Sequence, residues 1–172
     1  MGSDHWRTPP EVIELARGIL GAIELDPAAS RSERHWFAGE NWRSRGLTRE
    51  WAGLVYLNPP YSQLSTWVPY ASEQRLAVVL ALIPPAVGTN YWHDHVWKPP
   101  RPNGHRYAAA VAFPRGRFSF LDGRGRARNG NRYESALVLW TPASASAGHD
   151  GTTFLERFAT KLEPTCRVIL QR

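Results

Sequence analysis

The chain has 172 residues, enough for one domain with a buried core and few for two. Hydrophobic residues make up 42% and charged residues 21%, a globular composition that excludes a disordered chain. No apolar run reaches the length of about 18 residues that a membrane span needs, and the N-terminus lacks the pattern of a secretory signal. The single Cys166 excludes a disulfide framework and a cysteine zinc cluster. We therefore expect one cytoplasmic domain over residues 1–172, without membrane contact.

The charge balance favours an acidic partner. Lysine and arginine total 21 against 15 aspartates and glutamates, which gives a net charge of +6. All of these basic residues except Lys98 and Lys161 are arginines. A guanidinium group binds phosphate through a fork of hydrogen bonds, so the arginine excess favours nucleic acid. A GC-rich genome would produce the same excess through its codons, and charge alone does not separate these explanations.

Helical and strand patterns alternate along the chain. Thr8 is the expected N-cap of a first helix that Gly21 ends, and residues 39–50 are expected to be irregular. The apolar run LAVVLALI, Leu76–Ile83, predicts a central strand buried on both faces. Further predicted helices are 30–37, 63–74, 89–96 and 154–162, and further predicted strands are 23–26, 54–57, 108–113, 117–120, 136–140 and 167–170. The alternation predicts an α/β sheet that is parallel at its centre.

The segment LVYLNPPYS, residues 54–62, carries the strongest chemical signal. Its apolar strand delivers Asn58, Pro59, Pro60 and Tyr61 to the strand's carboxyl end, where open α/β sheets bind ligands. The exocyclic amine of a planar base is a weak nucleophile, because its lone pair is delocalised into the ring. An asparagine carbonyl and a proline backbone carbonyl can accept its two hydrogens and leave the lone pair facing an electrophilic methyl group.

In such a site the tyrosine ring can stack on the base, and a base inside a duplex must first be flipped out. Positioning and electrostatics lower the barrier, so no strong base is needed early. The alternative interpretation is a turn that only ends the strand.

The motif NPPY resembles the catalytic motif of S-adenosylmethionine-dependent amino-methyltransferases. The segment DHWRTPPEVIELA resembles the TPP cofactor motif of N6-adenine DNA methyltransferases, and IELDPAAS resembles the acidic motif at the end of their first strand. The segments GLTREWAGLVYLNPPYS, NYWHDHV, RGRFSF and SALVLW then resemble the compact phage-type DNA N6-adenine methyltransferase family. These matches run in one order from about Asp4 to Trp140, over most of the chain.

The resemblance implies a Rossmann-like S-adenosylmethionine-dependent methyltransferase fold, with a trimmed mixed sheet and helices on both faces. It implies methyl transfer to the N6 amine of a flipped-out adenine in double-stranded DNA, by a phage or prophage protein. Asn58, Pro59, Pro60 and Tyr61 would be catalytic. The residues implied to contact S-adenosylmethionine are Thr8, Pro9, Pro10, Asp26, Ala28 and Ala29.

The segment after the first strand departs from the methyltransferase pattern. No glycine-rich turn follows Asp26, and only 32 positions separate Asp26 from Asn58. The residues that contact the adenosine part therefore stay open, with Glu33, Glu40 and Asn41 as candidates. A homodimer is one way to complete such a site.

Arginines near a glycine-rich segment, DGRGRARNGNR over residues 122–132, are the expected DNA contacts. A solvated loop is the alternative. His93 and His95 would point to different helix faces, and no third ligand is evident in the sequence, so no metal is expected. The arginines predicted to bind DNA are Arg115, Arg117, Arg124, Arg126 and Arg128.

Two functional alternatives remain. One is the same chemistry on another conjugated amine, in N4-cytosine, RNA or a glutamine amide. The other is a catalytically silent DNA-binding module of the same fold, which the glycine-poor turn would favour.

Overall fold

A computed structural model describes residues 7–29, 37–98, 105–122, 125–126, 134–142 and 153–171. This part of the chain contains four α-helices and seven β-strands. The helices are α1 (Pro10–Leu20), α2 (Leu64–Ser72), α3 (Asn90–His95) and α4 (Phe154–Leu162). The strands are β1 (Leu25–Asp26), β2 (Glu40–Asn41), β3 (Ala52–Leu57), β4 (Leu76–Ile83), β5 (Ala110–Pro114), β6 (Ala136–Trp140) and β7 (Cys166–Leu170).

The strands form one mixed sheet in the order β2-β1-β3-β4-β6-β5-β7. Strands β2, β1, β3 and β4 run parallel, whereas β6, β5 and β7 join by antiparallel pairing. The prediction of a sheet that is parallel at its centre is confirmed. Because β1, β3 and β4 run the same way, their carboxyl ends meet at one edge of the sheet, which we call the carboxyl edge.

Helices cover both faces of the sheet, as predicted. Helices α1 and α4 pack on one face, and α2 and α3 pack on the other. Successive side chains of β4 alternate between these layers, with Val79 and Ala81 toward α2 and α3, and Leu80 and Leu82 toward α1 and α4. Each fully buried aliphatic side chain contributes about 1.5–3 kcal/mol, so the continuous apolar run of β4 stabilises both layers at once.

Several local predictions are wrong. The segment 117–120 is not a strand; instead Leu121 forms an isolated bridge with Arg7, with N···O distances of 2.8 and 3.1 Å. Residues Glu40–Asn41 form β2 within a segment predicted to be irregular, because the backbone amide of Trp42 donates to the Asp26 carbonyl at 2.8 Å. Backbone pairing needs no apolar pattern, so the sequence carries no signal for this strand.

The expected N-cap of the first helix is also wrong. Pro9 precedes α1 without any capping side chain, and the Thr8 hydroxyl is bonded to another element. Gly21 ends the helix at φ +90°, as predicted. The remaining predicted elements agree with the structure within two residues at either end, and the predicted helix 30–37 lies almost wholly outside the described residues. None of the helices in the described ranges is long and apolar enough to cross a membrane.

Candidate active site at the carboxyl edge

Strand β3 presents Asn58 directly at the carboxyl edge. Val55 and Leu57 anchor the strand in the layer of α2 and α3, and Tyr56 points into the opposite layer. Pro59 is buried and Pro60 is half-buried, and Tyr61 begins a 3-10 turn, Tyr61–Gln63, that leads into α2. The prolines carry no amide hydrogen, so they add no backbone donors next to Asn58. The Pro60 carbonyl accepts the Gln63 amide at 3.0 Å.

A hydroxyl group from the N-terminal segment orients the Asn58 side chain. Asn58 Nδ2 donates to Thr8 Oγ1 at 3.0 Å, and the Tyr56 hydroxyl donates to the same oxygen at 3.4 Å. Burial raises the pKa of Tyr56 far above its ordinary value, so this hydroxyl keeps its proton. The bond to Thr8 fixes the orientation of the Asn58 carboxamide, and its carbonyl oxygen Oδ1 can accept a hydrogen bond from a ligand.

The segment before α1 and the segment after β5 close this site from one side. The bridge between Arg7 and Leu121 holds Thr8 next to β3. Phe120 is buried and meets the Tyr61 ring edge-on, with ring centroids 6.4 Å apart. Burial also raises the pKa of the Tyr61 hydroxyl well above its ordinary range. Three distant segments, around Thr8, Asn58 and Phe120, therefore meet at one place.

Asp26 lies at the carboxyl end of the neighbouring strand β1. Its carboxylate is largely buried, and Oδ1 accepts the backbone amide of Ala28 at 3.0 Å. This bond turns the chain sharply, so that Ala28 is half-buried and Ala29 is buried. The turn after β1 is thus stabilised by Asp26 itself, without the glycine-rich sequence that the methyltransferase pattern usually shows.

Strand β2 contains two of the open candidates, and one of them, Asn41, lies beside Asp26. Asn41 pairs with Asp26 in the sheet, and its Nδ2 donates to the Ala38 carbonyl at 2.8 Å. Its Oδ1 is buried without a hydrogen-bond partner among the described residues. A buried acceptor of this kind costs about 1–3 kcal/mol, which a donor on a bound ligand would offset. Glu40 Oε2 instead accepts the Trp42 indole at 2.9 Å, and Glu33 lies outside the described residues.

Exposed arginines follow β5 at the same edge of the sheet. Strand β5 is antiparallel to β6, which is antiparallel to β4, so β5 ends where β3 and β4 end. Arg115 and Arg117 come directly after it, and Arg115 N is fixed to the Thr165 carbonyl at 2.9 Å. Arg126 is exposed as well, whereas the predicted Arg124 and Arg128 lie outside the described residues.

The sequence analysis missed two residues of this arrangement. In the sequence Tyr56 is one residue of an apolar strand. The alternation of side chains along β3 could have predicted that Tyr56 lies on the face opposite Val55 and Leu57, where it contacts Thr8. Phe120 was expected in a strand of its own, so its contact with Tyr61 was not predicted. The pairing of both residues with the site depends on chain crossings that no local pattern encodes.

The mixed sheet with helices on both faces, and the Asn-Pro-Pro-Tyr turn at its carboxyl edge, are the features of a Rossmann-like methyltransferase fold. The chain belongs to the DNA N-6-adenine-methyltransferase (Dam) family, whose model matches residues 2–156. It is similar to the DNA N-6-adenine-methyltransferase of Escherichia phage T1, with 29% identity over 152 residues. That match covers 79% of this chain and 62% of the phage protein, so the chain spans less than two thirds of the relative's length. No solved structure matches the chain.

Proposed function

We propose that this chain methylates the N6 amine of adenine in double-stranded DNA. One observation carries the proposal. Asn58 lies at the end of a central strand, its Nδ2 donates a hydrogen bond to Thr8, and a turn of two prolines and Tyr61 follows it directly. Membership of the Dam family supports adenine as the acceptor and DNA as the substrate.

In this proposal Asn58 Oδ1 and a backbone carbonyl of the Pro59–Pro60 turn accept the two amine hydrogens. These two hydrogen bonds favour a pyramidal amine nitrogen, whose lone pair then points out of the plane of the base. S-adenosylmethionine, when bound, supplies the electrophilic methyl group. The nitrogen becomes positively charged as it is methylated, and both carbonyl dipoles stabilise that charge before a proton leaves to solvent. The Tyr61 ring supports the flipped base by stacking.

The residues of the carboxyl edge fit the cofactor. The buried Asn41 Oδ1, which has no partner in the described part of the chain, suits a hydroxyl or amine donor, and Asp26 brings a carboxylate beside it. Ala28 and Ala29 keep the adjacent turn narrow. Pro9, which precedes α1, and Pro10, its first residue, remain proposed cofactor contacts, and we assign to Thr8 the orientation of Asn58.

DNA would approach the carboxyl edge, where Arg115, Arg117 and Arg126 are exposed. Their guanidinium groups would contact backbone phosphates and hold the duplex while one base enters the site. The same role is proposed for Arg124 and Arg128. A phage or prophage origin and a homodimer remain proposals that accompany this function.

The test combines purified protein, labelled S-adenosylmethionine and unmethylated duplex DNA, followed by digestion and mass spectrometry of the nucleosides. We expect N6-methyladenine with the wild type and a loss of at least about a hundredfold with Asn58→Ala. Asn58→Asp is the matched control, because its carboxylate keeps an acceptor oxygen and should retain part of the activity. Thermal melts and cofactor titration establish that each variant is folded.

Other products would contradict the proposal in distinct ways. N4-methylcytosine would keep the chemistry and change the acceptor. Cofactor binding without any methylated base would point to RNA or protein amides. Absence of cofactor binding by calorimetry would favour a silent DNA-binding module.

A further inference from the structure

A second cluster of polar side chains lies at the opposite end of the central strands. Glu73 follows the last residue of α2, His95 is the last residue of α3, and His105 precedes β5. One ligand atom from each lies within 4.8 Å of the other two. Strand β4 begins just after Glu73, at Leu76, and ends at the carboxyl edge, so this cluster is separate from the Asn58 site.

Ser72 is the hydrogen-bond partner of the buried His95 ring. The Ser72 Oγ lies 2.8 Å from the Pro69 carbonyl and 2.8 Å from His95 Nδ1. With the hydroxyl hydrogen directed at Pro69, Oγ accepts from Nδ1–H, and the metal site proposed below uses this tautomer. The neutral imidazole then has its lone pair on Nε2. Metal-binding histidines are oriented in this way, by a partner that accepts from the nitrogen that does not bind the metal.

Independent contacts fix the backbone around the cluster. The Arg106 guanidinium donates to the Gln74 carbonyl at 2.6 Å and to the Thr141 carbonyl at 2.8 Å, and its backbone amide donates to Glu73 Oε1 at 3.3 Å. The Trp140 indole donates to the His95 carbonyl at 2.8 Å. These bonds hold the ends of α2 and α3 near the segment before β5. Only one of them, from the Arg106 amide to Glu73 Oε1, uses an atom of the proposed ligand set.

We propose that Glu73, His95 and His105 bind a divalent cation of the zinc type. Two imidazoles and one carboxylate are a ligand set that Zn²⁺ prefers, with a fourth position left for water. Ligands at about 2.1 Å from one tetrahedral ion lie about 3.4 Å apart, so binding needs the ligand atoms, now within 4.8 Å of one another, to approach by up to about 1.4 Å. Glu73 is half-buried and His105 is exposed, so both side chains can make that adjustment.

The electrostatics of the cluster agree with this geometry. The His95 and His105 rings lie 4.5 Å apart between centroids, and His105 Nδ1 lies 3.5 Å from Glu73 Oε1. A bound cation would attract the two imidazoles and the carboxylate, which now contact one another without it. It would also link the segment before β5 to the ends of α2 and α3.

The experiment is a titration of chelator-treated full-length protein with Zn²⁺ by calorimetry and with Co²⁺ by visible absorption. We expect one ion per chain and a higher melting temperature with Zn²⁺. Glu73→Gln and His105→Asn should each weaken Zn²⁺ binding at least about tenfold, and Ser72→Ala about tenfold through loss of the His95 orientation. Gln at position 73 keeps an acceptor for the Arg106 amide, so this variant should fold.

His93→Gln is the matched control, because His93 is exposed on the same helix and lies outside the cluster. It should leave the affinity within about twofold of the wild type, since His93 is neither one of the proposed ligands nor a hydrogen-bond partner that orients one. The proposal is overturned if the wild type binds neither ion, or if Glu73→Gln and His105→Asn bind as well as the wild type. It is equally overturned if His93→Gln loses as much affinity as His105→Asn. Binding that survives both ligand variants would belong to other histidines.

Discussion

Asn58 illustrates how one side chain depends on a residue fifty positions away. Its carboxamide has an accepting end and a donating end, and the proposed chemistry uses the accepting end. Thr8 Oγ1 accepts a hydrogen bond from Asn58 Nδ2 at 3.0 Å, and the hydroxyl of the buried Tyr56 donates to the same oxygen. In the proposed reaction, Thr8 would therefore act through Asn58.

Thr8→Val should separate these two roles. Valine has nearly the same shape but accepts no hydrogen bond, so Asn58 loses its orientation. We expect kcat to fall about tenfold, the value of one hydrogen bond of about 1.4 kcal/mol, while the Kd for S-adenosylmethionine stays within about twofold. Steady-state kinetics and calorimetry measure the two quantities. Thr8→Ser should restore kcat, whereas a raised Kd with normal kcat would assign Thr8 to direct cofactor contact.

At the scale of elements, the strands differ in how visible they are in the sequence. Strands β4 and β6 are predicted well because burial on both faces requires continuous apolar runs, LAVVLALI and ALVLW. Strand β2 has two polar residues and exists through backbone bonds to β1, which leave no trace in composition. The segment 117–120 has aromatic residues typical of a strand, yet Phe120 serves the contact with Tyr61.

A substitution at Gly53 tests whether the contact with Glu24 stabilises β3, the strand that precedes Asn58. It has φ +77°, and a Cβ there would overlap the Glu24 carboxylate, whose Oε2 accepts the Leu54 amide at 2.8 Å. We expect Gly53→Ala to lower the free energy of unfolding by at least about 1 kcal/mol, measured by urea denaturation.

Gly88→Ala is the matched control for this prediction. Gly88 has no positive φ, and a methyl group added to its Cα would meet no neighbouring atom within 4 Å, so the same change should be nearly neutral there. Equal stabilities of Gly53→Ala and the wild type would show that the Glu24 contact does not constrain β3.

For the molecule as a whole, the two edges of the sheet carry different chemistry. The carboxyl edge gathers Asn58, Asp26 and the exposed arginines after β5, whereas the opposite edge holds the cluster of Glu73, His95 and His105. In the proposed function, the exposed arginines of the carboxyl edge would contact DNA phosphates, in a chain whose net charge is +6. The expected homodimer stays a prediction, which sedimentation at several concentrations can check.

Arg115→Ala and Arg117→Ala test the DNA-binding role of the carboxyl edge. Each should weaken binding to duplex DNA severalfold, independent of sequence, and reduce the slope of log affinity against log salt by about 1. Fluorescence anisotropy over a salt series measures both. Arg75→Ala is the control, because Arg75 is exposed just before β4 at the opposite edge. An equal loss for all three variants would mean that the positive charge acts without a defined contact surface.

The family was predicted from the resemblance of the ordered motifs to known methyltransferases. Local patterns in the sequence were enough to predict the α/β class, the parallel centre of the sheet and the strand that ends in Asn-Pro-Pro-Tyr. These features are visible locally, because burial requires apolar periodicity and proline restricts the backbone wherever it occurs. The bond from Asn58 to Thr8, the contact of Phe120 with Tyr61, and the cluster around His95 became apparent only in three dimensions. Such contacts join residues far apart in the chain, and their geometry depends on how packed elements meet in space.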